Sequence, residues 1–527
     1  MEPQLTIKQQ FDTHYGKSST PRERAKQYAY YTLPSLFPKE DTPSDTAQIV
    51  GMSDPIGAQA VNHLANKVVM TMFSPNRPFM RLTPNEDTDE MRKVREMQNS
   101  GDVNQEQKAD GALKQLDLDM SMHEKTAMRY LEERGYRTAA TLAAKLLIVT
   151  GDCLLTLFPD AEANVYSMKN YVTVRDLSGN VVLCILKESK ALATFNAETQ
   201  EAIKLSSKHS DDLTSDSFVS LYTRMELMED GRYELTQGAE NVDISTGKNK
   251  RYTADDNPFI NLTWNLVNGE NYGRGLVEDY SGGFHIIDNL TQAMLNIAAI
   301  AADIKFLVHP GATIDVAQLN SGETGSYVAG KEGDISAVAV AKVAEVQFLD
   351  AIIEKQKQQI GQAFLMMGAS TRQAERVTAE EIRTVAHELE LSHGGVYSRW
   401  SIDWQKKAAR LALTYVGVEL GDVVDPRIIT GMDSLSRDGE LENFRALMQD
   451  LSMTQAIPED VRIVFKMPEV VGYLAKQRGI DHQTLTNSTA ELTAIMEKRE
   501  AQEAARMQAE QDGKTQGAAA VEIAKNV

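Results

Sequence analysis

Cysteine is almost missing from this chain: Cys153 and Cys184 are the two in 527 residues. A disulfide framework is thereby excluded, and assembly in a reducing, intracellular compartment is expected. Their separation also lacks the paired spacing of a metal site. Positive charge is in deficit, with 55 Lys+Arg against 75 Asp+Glu, a net −20. A protein that wraps nucleic acid over its whole surface needs the opposite balance, because its affinity comes from cations that displace counterions. A local basic loop or ring stays open. Long apolar runs are missing too. The most apolar stretch, from Met294 to Val308, is interrupted by Asn296, Asp303 and Lys305. It falls short of the ~20 apolar residues that cross a bilayer. Met1-Glu2-Pro3-Gln4 has no basic start followed by an apolar core, so no secretory signal is expected. The reading is a soluble protein outside the membrane.

What is present is a globular balance, 42% hydrophobic and 25% charged. The length allows about three to four domains of ~150 residues. The first part, to about residue 150, has helical periodicity. Pro21-Arg22-Glu23-Arg24 opens a run containing Tyr28, Tyr30 and Tyr31 that Pro34 ends. Asp54-Pro55 starts a second helix, with Asp54 as N-cap and Pro55 at the first helical position. Ile56, Val61, Leu64, Val68 and Met72 line one of its faces. Another helical stretch is expected from Met120 to Val149.

The period changes between about 151 and 265. The run 152–158 reads as a buried strand, Ser178-Gly179-Asn180 as a turn between two strands, and Asp230-Gly231 as a hairpin. An antiparallel β subdomain is expected there. Two helices then carry most of the information. In residues 278–305, Ile287, Leu290, Met294, Ile297, Ala301 and Ile304 form a heptad seam, flanked by Ala293, Ala298, Ala299 and Ala302. Such a seam wants a neighbouring helix along its length. In residues 343–367, Val346, Leu349, Ile353, Ile360 and Met367 keep the same register, with Gln356 and Ala363 in the remaining seam positions. Residues 306–342, rich in Gly, Ala, Val and Ser, read as an excursion of strands and turns at the tip of a helical pair.

A third helix opens with a capping box, Thr378-Ala379-Glu380-Glu381. Gly394-Gly395 should bend or break it before Val396, Trp400, Trp404, Ala408, Leu411 and Tyr415 resume the pattern. Later helices follow: one striped by Leu441, Phe444, Leu447 and Leu451, a short one after Pro468, and an Ala/Glu/Gln/Met helix over 490–510, before a loose tail beyond Gln511.

Catalytic and metal motifs are weak. Gly325 to Glu332 resembles a phosphate loop around Lys331, but Glu332 replaces the metal-binding Ser/Thr, so a turn is the simpler reading. His387 and His393 are six residues apart and face different sides of a helix. Gly273-Arg274-Gly275 lacks the third glycine of a dinucleotide fingerprint and reads as a turn. No catalytic residue, metal or cofactor is expected. Lys355 and Lys357 lie off the seam of the second helix, and Arg372, Arg376 and Arg383 flank the polar link 368–376. These cations read as a solvated surface or, alternatively, as a loop that touches a phosphate backbone.

Two runs, Asn268 to Tyr280 (Asn-Gly-Glu-Asn-Tyr-Gly-Arg-Gly-Leu-Val-Glu-Asp-Tyr) and Glu375-Arg376-Val377-Thr378-Ala379-Glu380-Glu381-Ile382, stand in order with the heptad helix between them. In this arrangement the chain resembles the portal, or head-to-tail connector, proteins of podovirus-type phages from near its N-terminus to about residue 500. The resemblance implies an α+β, predominantly helical fold and a ring, usually of twelve copies, at one capsid vertex. It implies a wing over 1–277, β-rich in 151–265, and stem helices at 278–305 and 343–369. It also implies a clip over 306–342, a channel loop over 370–377, a long bent wing helix over 378–418, a crown over 419–511 and a flexible tail over 512–527.

Double-stranded DNA would pass through the channel, and a separate terminase motor would supply ATP hydrolysis. Tail adaptors, capsid, scaffold and internal core proteins are the other partners implied. The protein would assemble in the host cytoplasm and reside in the virion. Lys355, Lys357, Arg372 and Arg376 are the residues expected to face DNA. Ile287, Leu290, Met294, Ile297, Ile304, Val346, Leu349, Ile353 and Ile360 are those expected to pack subunits in the stem. The rival readings are a helical scaffold without a channel and a phosphate-binding NTPase built on Lys331.

Overall fold

The computed structural model describes residues 5–37, 51–73, 79–84, 89–98, 103–206, 217–244, 250–302, 305–311, 335–338, 343–366, 395–418 and 424–428, together with isolated positions 214, 321, 327, 331, 388, 391 and 449. The chain divides into two units, one of Met1–Asn85 and Asp119–Gly431, the other of Glu86–Leu118 and Met432–Val527. The expected crown helices and tail beyond residue 428 lie outside the described residues, apart from Gln449.

The first unit opens with α1 (Ile7–Lys17) and α2 (Ser19–Tyr31). A capping box starts α1: Thr6 Oγ1 accepts from the Gln9 amide at 3.3 Å, and Gln9 Oε1 accepts from the Thr6 amide at 3.1 Å. Helix α3 (Ile56–Met72) begins one residue later than expected. Pro55 is its N-cap, yet Asp54 Oδ1 still takes the Ile56 amide at 2.9 Å. The expected stripe is real at Val61, Leu64, Val68 and Met72, all buried.

Strand β1 (Met80–Pro84) follows, then α4 (Asp89–Gln98) in the second unit. Helix α5 (Val103–Glu133) starts in the second unit and ends in the first. The helical stretch expected over 120–149 is made of two helices: α5 ends at Glu133 and α6 runs Tyr136–Thr150. Gly135, with φ +66°, separates them, because a left-handed residue cannot continue an α-helix. Helix α6 is buried along nearly its whole length and touches α2, α3 and the strand that follows.

The β part is antiparallel, as its turn and hairpin signals implied, and forms two sheets. The smaller has the order β10 (Phe259–Thr263), β2 (Asp152–Thr156), β3 (Asn164–Tyr166). The larger runs β4 (Tyr171–Arg175), β5 (Val181–Ala191), β6 (Phe218–Leu227), β7 (Tyr233–Ala239), β8 (Val242–Asp243), with β9 (Lys250–Tyr252) also pairing β7. Gly179 and Gly231 both take positive φ in the two expected turns. A helix not read from the sequence, α7 (Ala197–Ser206), interrupts the strands. Phe11 of α1 packs on Val172, Ile185 and Tyr222 of the larger sheet. Cys153 and Cys184 are both buried and unbridged.

After β10 come a one-turn helix α8 (Leu276–Asp279) and α9 (Ser281–Ala302). The first seamed helix thus starts at Ser281, Glu278 belongs to α8, and Lys305 sits in a strand. That strand, β11 (Lys305–Val308), pairs antiparallel with β12 (Ile335–Val338) before α10 (Val343–Ala363). The strands expected in the excursion are therefore seen where it is described. Helix α10 stops at Ala363 and does not reach Met367, which lies outside the described residues.

A last helical rod has three parts: α11 (Val396–Trp400), a π segment Ser401–Lys406, and α12 (Lys407–Val416). Gly395, with φ +83°, precedes it, consistent with a break at the Gly-Gly pair. The capping box at 378–381 lies outside the described residues. This rod covers the open edge of β10. Trp400 Nε1 donates to the Thr263 carbonyl at 2.9 Å, Lys407 Nζ donates to the Phe259 carbonyl at 3.0 Å, and Arg399 donates to the Thr263 and Trp264 carbonyls. Strand β13 (Val424–Ile428) pairs antiparallel with β1.

Candidate stem and channel site

Helices α9 and α10 run antiparallel, because the antiparallel β11–β12 pair returns the chain beside itself. Where Gly283 omits a side chain, Gln356 and Ile360 of α10 approach closely. Among the expected seam residues, Ile287, Ile353 and Ile360 are buried. Leu290, Met294, Ile297, Val346 and Leu349 are half-buried, and Ile304 lies outside the described residues. The deepest contacts were not expected. Phe364 is fully buried, with its ring centroid 6.0 Å from those of Tyr280 and Phe284. A signal for both was present: Phe284 stands three before Ile287, and Phe364 stands four after Ile360.

Burial falls away toward the ribbon. Leu295 is 56% exposed and Phe348 is 66% exposed. The base is held by polar contacts as well. Tyr30 donates to Asp288 at 3.2 Å, and the Tyr31 hydroxyl meets His285 Nδ1 at 3.1 Å. Burial and the Asp288 charge raise the Tyr30 phenol above its ordinary range.

Helix α3 lies along the C-terminal half of α10. Lys357 Nζ pairs with Asp54 at 2.9 Å and with Glu354 at 3.3 Å. The hydrogen bond that Lys357 donates to Asp54 raises the Lys357 pKa. This cation therefore has a structural use within the chain. Lys355, two residues away, is exposed and has no ion-pair partner among the described residues. Further along α3, His63 Nε2 and Lys67 Nζ both reach the Leu365 carbonyl, at 3.1 and 2.7 Å. A carbonyl only accepts, so His63 carries its proton on Nε2 in this bond. Arg372, Arg376 and Arg383 lie outside the described residues.

The run 268–280 builds the junction that feeds α9, and most of its polar residues have a partner. Arg274 is clasped by Glu270 at 2.6 Å and Glu278 at 2.5 Å, which raises its pKa further. Glu278 also takes Arg24 of α2 at 3.3 Å. Asn271 Oδ1 accepts from the Arg175 amide at 2.8 Å, and the Tyr272 hydroxyl accepts from the Thr173 amide at 3.2 Å. Gly273 donates its amide to Asp152 at 2.9 Å, and Tyr171 donates to the same carboxylate. Asp152 is fully buried, which pushes its carboxyl up to about 6, although Arg175, Tyr171 and Gly273 all pull the other way.

Gly273-Arg274-Gly275 is thus more than a turn. A Cβ on Gly275 would stand 2.7 Å from the Ile148 carbonyl oxygen, and one on Gly151 would stand 2.3 Å from the Gly275 nitrogen. Two backbone segments cross at a distance that no side chain permits. Sequence reasoning missed this, since Gly151 and Gly275 are far apart along the chain.

Tyr327 and Lys331, the described residues of the phosphate-loop-like run, are exposed. Among the described residues no group of three His, Cys, Asp or Glu side chains could hold a metal ion, and no helix is long and apolar enough to cross a membrane.

Comparison with known proteins bears on these elements together. The family model described as "Bacteriophage head to tail connecting protein" matches residues 5–485. The portal protein of Enterobacteria phage SP6 is 34% identical over 465 residues, covering 88% of this chain and 86% of that protein. The portal protein of Enterobacteria phage T3 is 30% identical over 488 residues, covering 90% and 86%. Among solved structures, a chain in the virion of a native gene transfer agent particle is 10% identical with a TM-score of 0.35, over 75% of this chain and 85% of that one. A likeness that loose carries no argument.

Proposed function

The chain belongs to the bacteriophage head to tail connecting protein family and has a structural, non-enzymatic portal role, and from this premise we propose that copies of it form a ring that conducts double-stranded DNA at one vertex of the capsid. One observation carries the ring: an antiparallel pair of rods is fixed at its base and leaves apolar side chains uncovered toward its tip. Phe284, Ile287, Ile353, Ile360 and Phe364 are satisfied within the chain, whereas Leu295 and Phe348 are not. Surface of that kind stabilises association with identical neighbours.

In this reading α9 and α10 are the stem, and residues 306–342 are the clip, which meets the terminase motor during packaging and the tail adaptors afterwards. Residues 1–277 and 378–418 are the wing, 370–377 the channel loop, and 419–511 the crown. Capsid, scaffold and internal core proteins surround the ring, and the assembled particle carries it in the virion after assembly in the host cytoplasm. The acidity of the chain suits a conduit. A mostly anionic wall holds DNA weakly, and a few cations centre the duplex, because each neutralised phosphate adds affinity that would slow translocation. Lys355, Arg372 and Arg376 are the cations we assign to DNA. Lys357 can join them only in part, since Asp54 and Glu354 already neutralise it.

Electron microscopy of the purified chain tests this reading. Class averages viewed down the axis should show a ring with a central hole wide enough for a duplex. A monomer at every concentration, with no ring, would sink it.

A further inference from the structure

Helix α9 does not continue straight out of α8. Tyr280 stands between them with φ −107° and ψ 9°, outside the α-helical region, and its amide closes α8 on the Glu278 carbonyl. Beyond it, the amides of Gly283 and Phe284 both donate to the Tyr280 carbonyl, at 3.0 and 3.2 Å. Gly282 and Gly283 occupy the first turn of α9, where glycine weakens a helix more than any residue but proline. A Cβ on Gly282 would meet nothing within 4 Å, so packing does not demand a glycine there. The parts on either side are firm. Before the joint, Gly275 crosses Gly151 backbone to backbone. After it, Phe284 and Ile287 are buried at the base of the rods.

Helix α2 lies across this joint. Arg24 pairs with Glu278, on the near side, at 3.3 Å. Tyr31 meets His285 Nδ1 at 3.1 Å and Tyr30 donates to Asp288 at 3.2 Å, both on the far side. Arg24 to Tyr31 and Glu278 to His285 are both steps of seven residues, about two helical turns, so α2 runs parallel to the jointed segment and in register with it. The far contact is the stronger. Asp288 is buried, its other oxygen accepts from Gln292 at 3.2 Å, and a hydrogen bond to a carboxylate outweighs one between neutral groups. The Tyr31 ring also stacks on Phe284, with centroids 6.4 Å apart. Hinges are short element-terminal segments that absorb backbone change between rigid bodies. We infer that residues 280–283 are a hinge at the root of the rod pair, and that α2 is a splint across it, latched by Tyr30 on Asp288. The inference goes beyond the ring reading and does not need it; in such a ring the hinge would set the tilt of every rod.

Hydrogen exchange of the full-length protein, resolved to single amides by mass spectrometry, tests this. The Gly283 and Phe284 amides report the joint, because bending there breaks their bonds to Tyr280. The buried Ala143 and Ala144 of α6 are the reference. Tyr30→Phe keeps the ring and removes the hydroxyl. It should speed the two joint amides about tenfold relative to α6, the loss of one hydrogen bond to a charged group. Arg24→Gln should speed them about two- to threefold, the size of a partly exposed ion pair. Gly282→Ala, which stiffens the turn without a clash, should slow them about two- to fivefold, both alone and combined with Tyr30→Phe. Unchanged joint amides in folded Tyr30→Phe overturn the splint. So does a rise shared equally by α6, which would be a loss of overall stability. No slowing in either Gly282→Ala protein overturns the hinge. Exchange reads the joint whether or not rings form, so this result and the imaging result fail independently.

Discussion

Asp152 should make this protein more stable in mild acid, against the usual trend. Its carboxyl is fully buried, and burial pushes it from 3.8 to about 6. Below pH 4 it is protonated in both folded and unfolded chains and contributes no slope. Between pH 4 and 6 the folded chain holds a proton that the unfolded chain has released, so stability falls as pH rises. Above pH 6 both forms are ionised and the full penalty is present. Two pH units at 1.36 kcal/mol each give about 3 kcal/mol.

Asp152→Asn removes the titration and keeps much of the geometry. Its amide oxygen can take the Gly273 amide, and the Tyr171 hydroxyl can rotate to accept from the new NH2. Urea unfolding of both proteins at fixed concentration, from pH 7 to pH 4, isolates the effect, because all other titrating groups cancel in the difference. Wild type should gain about 3 kcal/mol over the variant as the pH falls. A flat difference, or one of opposite sign, would mean that the bonds from Tyr171 and Gly273 and the charge of Arg175 outweigh burial, and the reasoning would fail.

Three other substitutions probe the junction, α5 and the rods. Gly275→Ala would force a Cβ against the Ile148 and Val149 carbonyls and the Gly151 nitrogen, at 2.7 to 2.9 Å. All three are backbone atoms that cannot swing aside, so chemical denaturation should show a loss of about 3 kcal/mol. Gly111→Ala, in open space within α5, should instead gain about 0.5–1 kcal/mol. Phe348→Gln should leave the unfolding free energy of the chain within about 0.5 kcal/mol of wild type. In sedimentation velocity it should weaken assembly by about tenfold per contact, since burying a phenyl ring is worth about 1.5–3 kcal/mol.

Legibility from the sequence followed the range of the interaction. Ile287, Ile353 and Ile360 could be placed on a buried seam because three- and four-residue spacing is a local property of a helix. The turns at Gly179 and Gly231 were readable for the same reason. Phe284 and Phe364 continue that spacing and were open to the same logic. The division at Gly135 had a local sign as well, a glycine inside a helical pattern. The π segment had none; it lies between Trp400 and Lys407, which both reach the strand edge. Lys357 looked like a free cation until Asp54, remote in sequence, was found beside it. The crossing of Gly151 with Gly275 is likewise a tertiary fact. The composition marked Arg372 and Arg376 as cations near a turn, but their setting lies outside the described residues.

The helical rod along β10 has a consequence for the ring proposed above, in which many copies of the chain would stand together. A strand at the rim of a sheet can recruit a strand from another chain, and crowding multiplies the chance. Here Trp400, Arg399 and Lys407 already occupy the carbonyls of Phe259, Thr263 and Trp264. Strand exchange through that rim would first require peeling away a rod whose two indoles are fully buried. In the proposed ring, neighbours would then meet through helices, without competition from open-ended strand addition at this edge.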